Sequence, residues 1–134
     1  MSIEKTLVII KPDAVKRGLI GNILTMYEQK ELKIASMKMI LATEALLSKH
    51  YAEHIGKDFY ADLLDFMQSG ASVVLCVEGE NAVAMVRKIN GATDYMNADG
   101  GSIRGKYAHG TTANCVHGSD CVASAQRELA IWFG

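Results

Sequence analysis

The order of strands and helices along this 134-residue chain predicts an α+β fold, a split β-α-β sheet with helices packed on it. Residues 6–10 form a continuous run of β-branched and apolar side chains, which indicates a strand buried on both faces. Residues 33–41 alternate instead, and this favours an antiparallel or mixed sheet with one less-buried face. The order of elements alone would also fit a doubly wound parallel sheet, so the alternation is what favours the split sheet.

The first helix follows a basic segment that is interrupted by glycines. Pro12 ends the first strand because proline has no N–H to donate to a neighbouring strand. Residues 14–21 then contain two glycines and two cations. Apolar side chains recur at helical spacing from Leu19 to Tyr27, and this predicts a helix that runs to about Lys30.

The second strand is predicted over residues 33–41 as a half-buried strand. Its apolar side carries Met37, Met39 and Leu41. Thr43 is a suitable N-cap for a short helix that runs to about Ile55. A second helical stripe covers residues 59–67.

The second half of the chain repeats the alternation of strands and helices. Residues 72–77 are predicted as a strand, and Asn81 as the cap of a helix that ends near Gly91. Helical and strand periodicity then disappear over residues 91–113, and a long loop without structure is usually functional. A short last strand at 113–116 and a final helix from Cys121 to about Trp132 complete the chain.

The composition is that of one domain covering residues 1–134, without a general attraction to polyanions. The net charge is −1, so neither nucleic acid nor a membrane surface is an expected partner, and any phosphate site must be local. The three cysteines are too few for a disulfide framework and indicate a reducing compartment. Because there is also no signal peptide and no run of 18 apolar residues, we expect a cytoplasmic protein.

The stretch Asn-Cys-Val-His-Gly-Ser-Asp at residues 114–120 combines an amide, an imidazole, a hydroxyl and a carboxylate. A helix is predicted directly after it, capped by Ser119 or Asp120. His117 would therefore lie near the positive end of a helix, where a neutral imidazole can meet an anion. The stretch alone fits a capped turn with a structural histidine equally well.

Cations at strand ends and in loops provide possible phosphate ligands. They are Lys11, Arg87, Arg104, and Lys16 or Arg17. If the first three converge on His117, the site would suit a polyphosphate, because arginine pairs with phosphate oxygens and lysine supplies a point charge. Each cation taken singly fits an ordinary surface charge. The glycine-rich phosphate loops of P-loop ATPases and Rossmann dehydrogenases are absent from the sequence.

Metal and thiol chemistry are weaker alternatives. Cys115, His117 and Cys121 lack the paired spacing of a zinc site. His50 and His54 lie four residues apart on a predicted helix and could share a metal, although partly exposed helix positions explain them as well. A Cys–His hydrolase would need an activated, accessible thiol, whereas Cys115 also fits a position in the core.

Several stretches of the sequence occur in the same order in one known family. They are residues 11–21, 67–70, 91–93, 102–105, 114–120, 124–125 and 127–128. With them the chain resembles nucleoside diphosphate kinase along essentially its whole length. The resemblance implies a ferredoxin-like fold with a four-stranded antiparallel sheet covered by helices. It also implies ping-pong transfer of a γ-phosphoryl group from a nucleoside triphosphate to a nucleoside diphosphate.

The resemblance assigns a role to each matching residue. His117 would become the phosphohistidine, supported by Ser119 and Glu128. Phosphates and ribose would be held by Lys11, Tyr51, Arg87, Thr93, Arg104 and Asn114. Phe59 would stack on the base, with Leu63 beside it, and stacking of this kind works for any base.

The resemblance further implies Mg²⁺ carried on the nucleotide phosphates, without direct protein ligands, and a homo-oligomer built from dimers, either a tetramer or a hexamer. This chain departs from the family pattern at four positions, which are Tyr95, Gly100, Lys106 and Cys121. Tyr95 stands where a loop-stiffening proline is usual, so we expect higher assemblies that are looser than the dimer. A catalytically idle relative is the alternative, but the presence of His117, Lys11 and Arg104 argues against it.

Overall fold

The computed structural model describes residues 3–134 and contains a four-stranded antiparallel sheet. The strands are β1 (Ile3–Ile10), β2 (Lys33–Ile40), β3 (Ser72–Glu80) and β4 (Val116–Gly118), in the spatial order β2-β3-β1-β4. The first and third strands occupy the centre and pair with each other over their full length. This arrangement confirms the predicted split β-α-β sheet.

Seven helices connect and cover the strands. They are α1 (Pro12–Lys16), α2 (Ile20–Gln29), α3 (Glu44–His50), α4 (Tyr60–Met67), α5 (Ala82–Asn90), α6 (Ile103–Tyr107) and α7 (Val122–Phe133). Two single 3-10 turns lie at Ala52–His54 and Tyr95–Asn97. In the part of the chain that is described, none of these helices has the length and apolar character that a membrane crossing requires.

The prediction of an unstructured loop over residues 91–113 was wrong, because this segment holds α6 and a 3-10 turn. Side-chain caps explain how such short helices form without an apolar period. Ser102 accepts a hydrogen bond from the N–H of Gly105 at 3.1 Å, and Asp94 accepts one from the N–H of Met96 at 3.0 Å. The predicted helix from Thr43 to Ile55 likewise ends earlier, at His50.

The sheet separates two apolar cores, and β1 contributes to both. Val8 and Ile10 pack with side chains of α2 and α5, while Leu7 and Ile9 pack with side chains of α3 and α7. All four side chains are completely buried. The continuous apolar run at residues 6–10 therefore predicted burial on both faces correctly.

The predicted inward face of β2 was wrong. Met37, Met39 and Leu41 are 56%, 61% and 62% exposed, whereas Ile40 on the opposite face packs into the core with α7. The reason is that β2 is an edge strand, and the helices cover the central strands more completely. Lys38 also lies on the packed face, where its ammonium group donates to the carbonyl of Trp132 and lies over the ring of Phe133.

The helix caps were predicted with mixed success. Thr43 accepts a hydrogen bond from the N–H of Leu46, as predicted. Asn81 has a left-handed backbone, and within residues 3–134 its side chain forms no cap hydrogen bond. Glu4 of β1 accepts from the N–H of Val83 instead, at 3.1 Å. A carboxylate that is distant in sequence therefore replaces the local cap of α5.

Candidate active site

A cavity of about 630 Å³ opens at the junction of β1, β4, α3 and α5. Eight of the eleven site residues predicted from the sequence line it: Lys11, Tyr51, Arg87, Thr93, Arg104, Asn114, His117 and Glu128. Its charged side chains include four cations, since Arg127 joins the three predicted ones. The three predicted cations and Arg127 therefore line the same cavity as His117.

His117 lies on β4, opposite Ile9 of β1. Its ring is hydrogen-bonded to the carboxylate of Glu128. Its Nε2 lies 2.8 Å from Oε1 of Glu128, which also accepts a hydrogen bond from Ser119 Oγ at 2.7 Å. Ser119 in turn accepts from the N–H of Leu7. The three side chains form a fixed chain of hydrogen bonds from β1 to α7.

The protonation of Glu128 determines the tautomer of His117. Burial alone would raise the pKa of Glu128, but the hydrogen bonds from His117 and Ser119 oppose it and hold the pKa below its ordinary value. An ionised carboxylate can only accept, so the ring proton of neutral His117 belongs on Nε2. In this tautomer the lone pair of the neutral ring is on Nδ1.

Ser119 was predicted either as a helix cap or as a support of His117, and only the second position is found. The cap of α7 is Cys121, whose sulfur accepts from the N–H of Ser124 at 3.5 Å. Ser119 is fully buried two residues earlier. Its hydroxyl is consequently available for Glu128.

His50 lies next to His117, and the prediction of a partly exposed helix position for His50 was wrong. It is only 4% exposed, its Nδ1 accepts the indole N–H of Trp132 at 3.0 Å, and its ring packs edge-on against that of His117 at 4.7 Å. Burial, with a smaller contribution from His117, lowers its pKa to about 3, so the ring is neutral. The pairing with His54 on one helix face fails because α3 ends at His50.

A resident metal is not favoured by this geometry. Within the described residues, one group of metal-ligating type is found, and it consists of His50, His117 and Glu128. The indole N–H of Trp132 occupies Nδ1 of His50, so its Nε2 carries the proton and lacks a lone pair. Oε1 of Glu128 already accepts two hydrogen bonds. These residues form a hydrogen-bonded support rather than a coordination shell.

The cysteine alternatives are also unfavourable. Cys115 is completely buried, and burial raises the pKa of its thiol to about 11. The thiol is therefore protonated and inert at neutral pH. Cys121 caps α7, and the zinc arrangement with His117 is not formed in the described part of the chain.

Lys11 and Asn114 form the polar floor of the cavity. The ammonium group of Lys11 donates to the side-chain oxygen of Asn114 at 2.9 Å, and the Asn114 amide donates to the carbonyl of Thr93 at 3.3 Å. Burial, together with the charge of Arg104, lowers the pKa of Lys11 to about 8. Lys11 thus remains mainly protonated at pH 7 and loses its charge as the pH rises above 8.

Arg104 is held by the backbone on both sides. Its two terminal nitrogens donate to the carbonyls of Gly91 and Val116, each at 2.7 Å. The Val116 carbonyl belongs to the residue that precedes His117, so the guanidinium group is fixed beside the imidazole. Because the group is prepositioned, an anion would not have to order it on binding.

Three predicted residues and two candidate cations lie outside the cavity lining. Phe59 precedes α4, is 49% exposed and lies 5.2 Å from the ring of His54, so it is not a core residue. Leu63 is half-buried in the core on the α3 side of the sheet. Lys16 donates to Ser69, and Arg17 donates to the carbonyl of Tyr107. The third predicted residue is Ser119, which lies behind Glu128.

Sequence reasoning missed Asn90, which lines the cavity next to Gly118. A Cβ on Gly118 would lie 2.8 Å from the side-chain amide of Asn90 and 3.0 Å from Val86. Val86 and Asn90 of α5 therefore occupy the space that a side chain at position 118 would need. Asn90 is itself held by the hydroxyl of Tyr27 at 2.5 Å. Only its helix position, four residues after Val86, could have drawn attention to it.

Comparison with known proteins identifies one family. The family model for nucleoside diphosphate kinase matches residues 4–134. Nucleoside diphosphate kinase from Caldanaerobacter subterraneus subsp. tengcongensis is 54% identical, over 97% of this chain and 94% of the relative. That from Nocardioides sp. is 50% identical, over 96% of both chains.

Solved structures show the same fold. The apo nucleoside diphosphate kinase of Encephalitozoon cuniculi superposes with a TM-score of 0.95 at 37% identity, covering 98% of this chain and 89% of that one. The Aquifex aeolicus enzyme also gives 0.95 at 36% identity, with 99% and 96% covered. The fold is accordingly the ferredoxin-like one that the resemblance implied. By full-length sequence match and by fold, the chain belongs to the nucleoside diphosphate kinase family, whose members transfer phosphoryl groups between nucleotides.

Proposed function

We propose that His117 carries the phosphoryl group between the two nucleotides in a ping-pong reaction. The observation that supports this most directly is the hydrogen bond between His117 Nε2 and ionised Glu128, which leaves the lone pair on Nδ1 of a residue that lines the cavity. The Nδ1 lone pair forms a bond to the γ-phosphorus while the bond from phosphorus to the β,γ-bridging oxygen breaks. The nucleoside diphosphate leaves, and a second diphosphate reverses the step. No proton has to be removed from Nδ1 first.

The cations of the cavity have distinct roles in this proposal. Charge spreads over the oxygens of the transferring phosphoryl group, so catalysis depends chiefly on positioning and charge stabilisation. Lys11 and Arg104 are buried and fixed by hydrogen bonds, and we assign them to the transferring phosphate. The more exposed Arg87, together with Tyr51, Thr93 and Asn114, would hold the remaining phosphates and the ribose.

We further propose Mg²⁺ as the divalent ion that accompanies the nucleotide. Mg²⁺ prefers oxygen ligands and usually combines one or two carboxylates with substrate phosphates. Of the carboxylates at the cavity, Asp120 is exposed, and a hydrogen bond from Ser124 lowers its pKa, so it stays ionised. The phosphates would therefore hold the ion, with Asp120 nearby, and the bound ion would neutralise phosphate charge.

The experiment that tests phosphohistidine formation is incubation of the protein with γ-labelled ATP. We expect one acid-labile, base-stable phosphate per chain, and its complete release as a triphosphate on addition of an unlabelled diphosphate. A protein that exchanges phosphate between nucleotides without ever retaining label would contradict the ping-pong mechanism. Direct transfer between two bound nucleotides would then be the better explanation.

Phe59 is proposed to stack on the nucleotide base, because its ring is half-exposed next to the cavity residue His54. Phe59→Ala should weaken purine and pyrimidine nucleotides alike, by about 1–3 kcal/mol, since stacking does not distinguish bases. Calorimetric titration with ADP and CDP measures this loss. Phe66→Ala, which removes a ring from the core, should lower thermal stability instead. Unchanged affinity in Phe59→Ala would exclude the stacking role.

We propose that the protein forms a homo-oligomer built from dimers that pair along β2, giving a tetramer or a hexamer. An edge strand has unpaired backbone groups, and here three adjacent apolar side chains are more than half exposed beside them. A second copy would satisfy both features at once. Tyr95, which stands where the family usually has a proline, packs partly against the core of its own chain.

Met39→Lys should therefore weaken the dimer, because the new charge would be buried against the partner strand. Analytical ultracentrifugation across a dilution series would show monomer at concentrations where the parent protein stays dimeric. Met96→Lys is the matched control, since Met96 is exposed but lies outside β2. An unaltered dimer in Met39→Lys would place the interface elsewhere.

We also propose that residues 1–134 act as one domain in the cytoplasm. The three cysteines, all within the described residues, are free thiols, and two of them are buried. Free thiols of this kind are typical of a reducing compartment. Nucleic acid is not a proposed partner, because the net charge is −1 and the cavity is sized for a small ligand.

A further inference from the structure

The backbone of Cys115 is strained at the edge of the active site. Its φ angle is +76°, in the left-handed region that residues with a Cβ rarely adopt. Glu31 and Asn81 share this feature, but both are exposed, whereas Cys115 is completely buried. Such a conformation is unfavourable for a residue with a Cβ and persists only where the surrounding structure imposes it.

Both backbone polar groups of Cys115 are tied to the segment that follows β1. Its N–H donates to Oδ2 of Asp13 at 3.1 Å, and its carbonyl accepts from the N–H of Lys11 at 2.8 Å. Asp13 is 102 residues away in sequence and lies in the first turn of α1. The side chain of Asp13 is therefore the group that holds the N–H of the strained residue.

The backbone conformation of Cys115 affects the direction of two proposed phosphate ligands, Asn114 and Lys11. Asn114 directly precedes Cys115, and its side-chain oxygen accepts from the ammonium group of Lys11 at 2.9 Å. If Cys115 relaxed to an ordinary φ, the chain direction would change between Asn114 and His117. The contact between Lys11 and Asn114 would then be lost, although neither side chain had been altered.

Asp13 itself does not line the cavity. Its second oxygen, Oδ1, is buried and has no hydrogen-bond partner within residues 3–134. Asp13 as a whole is partly exposed, but a buried polar atom without a partner calls for an explanation. Its negative charge does act on Lys11, whose pKa it raises against the opposing effects of burial and Arg104.

We propose that Asp13 is a positioning residue for phosphoryl transfer, which holds Cys115 in its left-handed conformation and thereby directs Asn114 and Lys11 into the cavity. This inference rests on the proposed role of those two residues as phosphate ligands. Asp13 does not touch the nucleotide in this scheme. Its effect passes through its contacts with Cys115, namely the backbone N–H and the thiol, and through its charge.

A double-mutant cycle that combines Asp13→Ala with Cys115→Gly tests whether Asp13 acts by holding the backbone of Cys115. Asp13→Ala should slow phosphoenzyme formation at least tenfold, because the N–H of Cys115 loses the carboxylate that holds it. Cys115→Gly should retain nearly the original rate, since glycine adopts a positive φ without the Cβ penalty. In the double variant, glycine should recover most of the lost rate. Glu44→Ala, which removes an exposed acidic residue from the first turn of α3, is the control for helix-end charge.

The charge part is tested by Asp13→Asn, which keeps an oxygen for the Cys115 N–H. Rates near those of the parent are expected at pH 7. Burial and the charge of Arg104 lower the pKa of Lys11, whereas Asp13 and Cys115 raise it. Without the Asp13 charge the Lys11 pKa falls further below about 8, so the alkaline limb of the pH–rate profile should move to lower pH. A purely structural role for Asp13 would leave that limb in place.

Two results would overturn the proposal. The first is a double variant that is no faster than Asp13→Ala, and the second is an Asp13→Ala protein that is less stable but transfers phosphate at the original rate. If Asp13→Ala does not fold, Asp13→Ser takes its place in the same cycle. The final amount of acid-labile phosphate, measured after long incubation, should stay at one per chain in every variant. An unlabelled parent protein would instead refute the phosphohistidine itself.

Discussion

Replacing His117 by glutamine is expected to abolish phosphoenzyme formation and nucleotide exchange together, while leaving the fold intact. Glutamine keeps a polar side chain that can hydrogen-bond to Glu128 but has no nucleophilic nitrogen. The side chain is partly exposed to the cavity, so little packing is lost. Label retained from γ-labelled ATP and steady-state exchange both measure the loss, and circular dichroism measures the fold.

His109→Gln is the matched control for this variant. His109 is exposed and lies outside the cavity, so it should retain label at one phosphate per chain. If His117→Gln exchanged phosphate at near the original rate, another nucleophile would have to exist. His50 could not take that part easily, since the indole of Trp132 occupies its Nδ1.

Glu128→Gln is expected to slow phosphoenzyme formation by about 10- to 100-fold, the usual cost of removing a group that orients a functional histidine. An amide can accept or donate toward His117, so the proton is no longer held on Nε2 and a fraction of the rings has a protonated Nδ1. The amide also lacks the charge that favours two hydrogen bonds at one oxygen. Rapid-quench measurement of label incorporation gives the rate directly.

The pH dependence of the free energy of unfolding provides a second test of Glu128. Its pKa in the folded protein lies below the ordinary value, so its hydrogen bonds contribute stability above the unfolded-state pKa. That contribution is lost as the pH falls through the folded pKa. In Glu128→Gln this acid-dependent loss should disappear. Glu28 is an exposed glutamate on α2, and Glu28→Gln should change neither the rate of phosphoenzyme formation nor the loss of stability at low pH. A normal rate in Glu128→Gln would show that the tautomer of His117 needs no carboxylate.

Eight of the eleven site residues predicted from sequence motifs line the cavity. Motifs can identify such residues because each motif keeps its residue types at fixed spacing. Lys11 and Asn114 are 103 residues apart, yet their side chains are hydrogen-bonded to each other. No local pattern predicts that contact, and the resemblance to a family implied only that both residues hold phosphates or ribose. His50 was misplaced for the same reason, since its burial depends on Trp132, which lies 82 residues further along the chain.

Local chemistry also left the caps and the loop undecided. Ser119 and Asp120 were the predicted caps, but the cap of α7 is Cys121, and the Ser119 hydroxyl donates to Glu128 instead. In residues 91–113, short capped helices have no apolar period that a sequence pattern could detect. Asn81 has the composition of a cap, but Glu4 reaches α5 from the neighbouring strand.

The sequence by itself determined the class of the fold, the two buried faces of β1 and the family, because apolar periodicity and ordered motifs are properties of the chain. The tertiary structure decided which face of β2 is covered, which tautomer His117 adopts and how Asp13 meets Cys115. Each of these depends on contacts between distant segments. A side chain's burial, hydrogen-bond partner and pKa are set by whatever packs against it, and that is known only when the chain has folded.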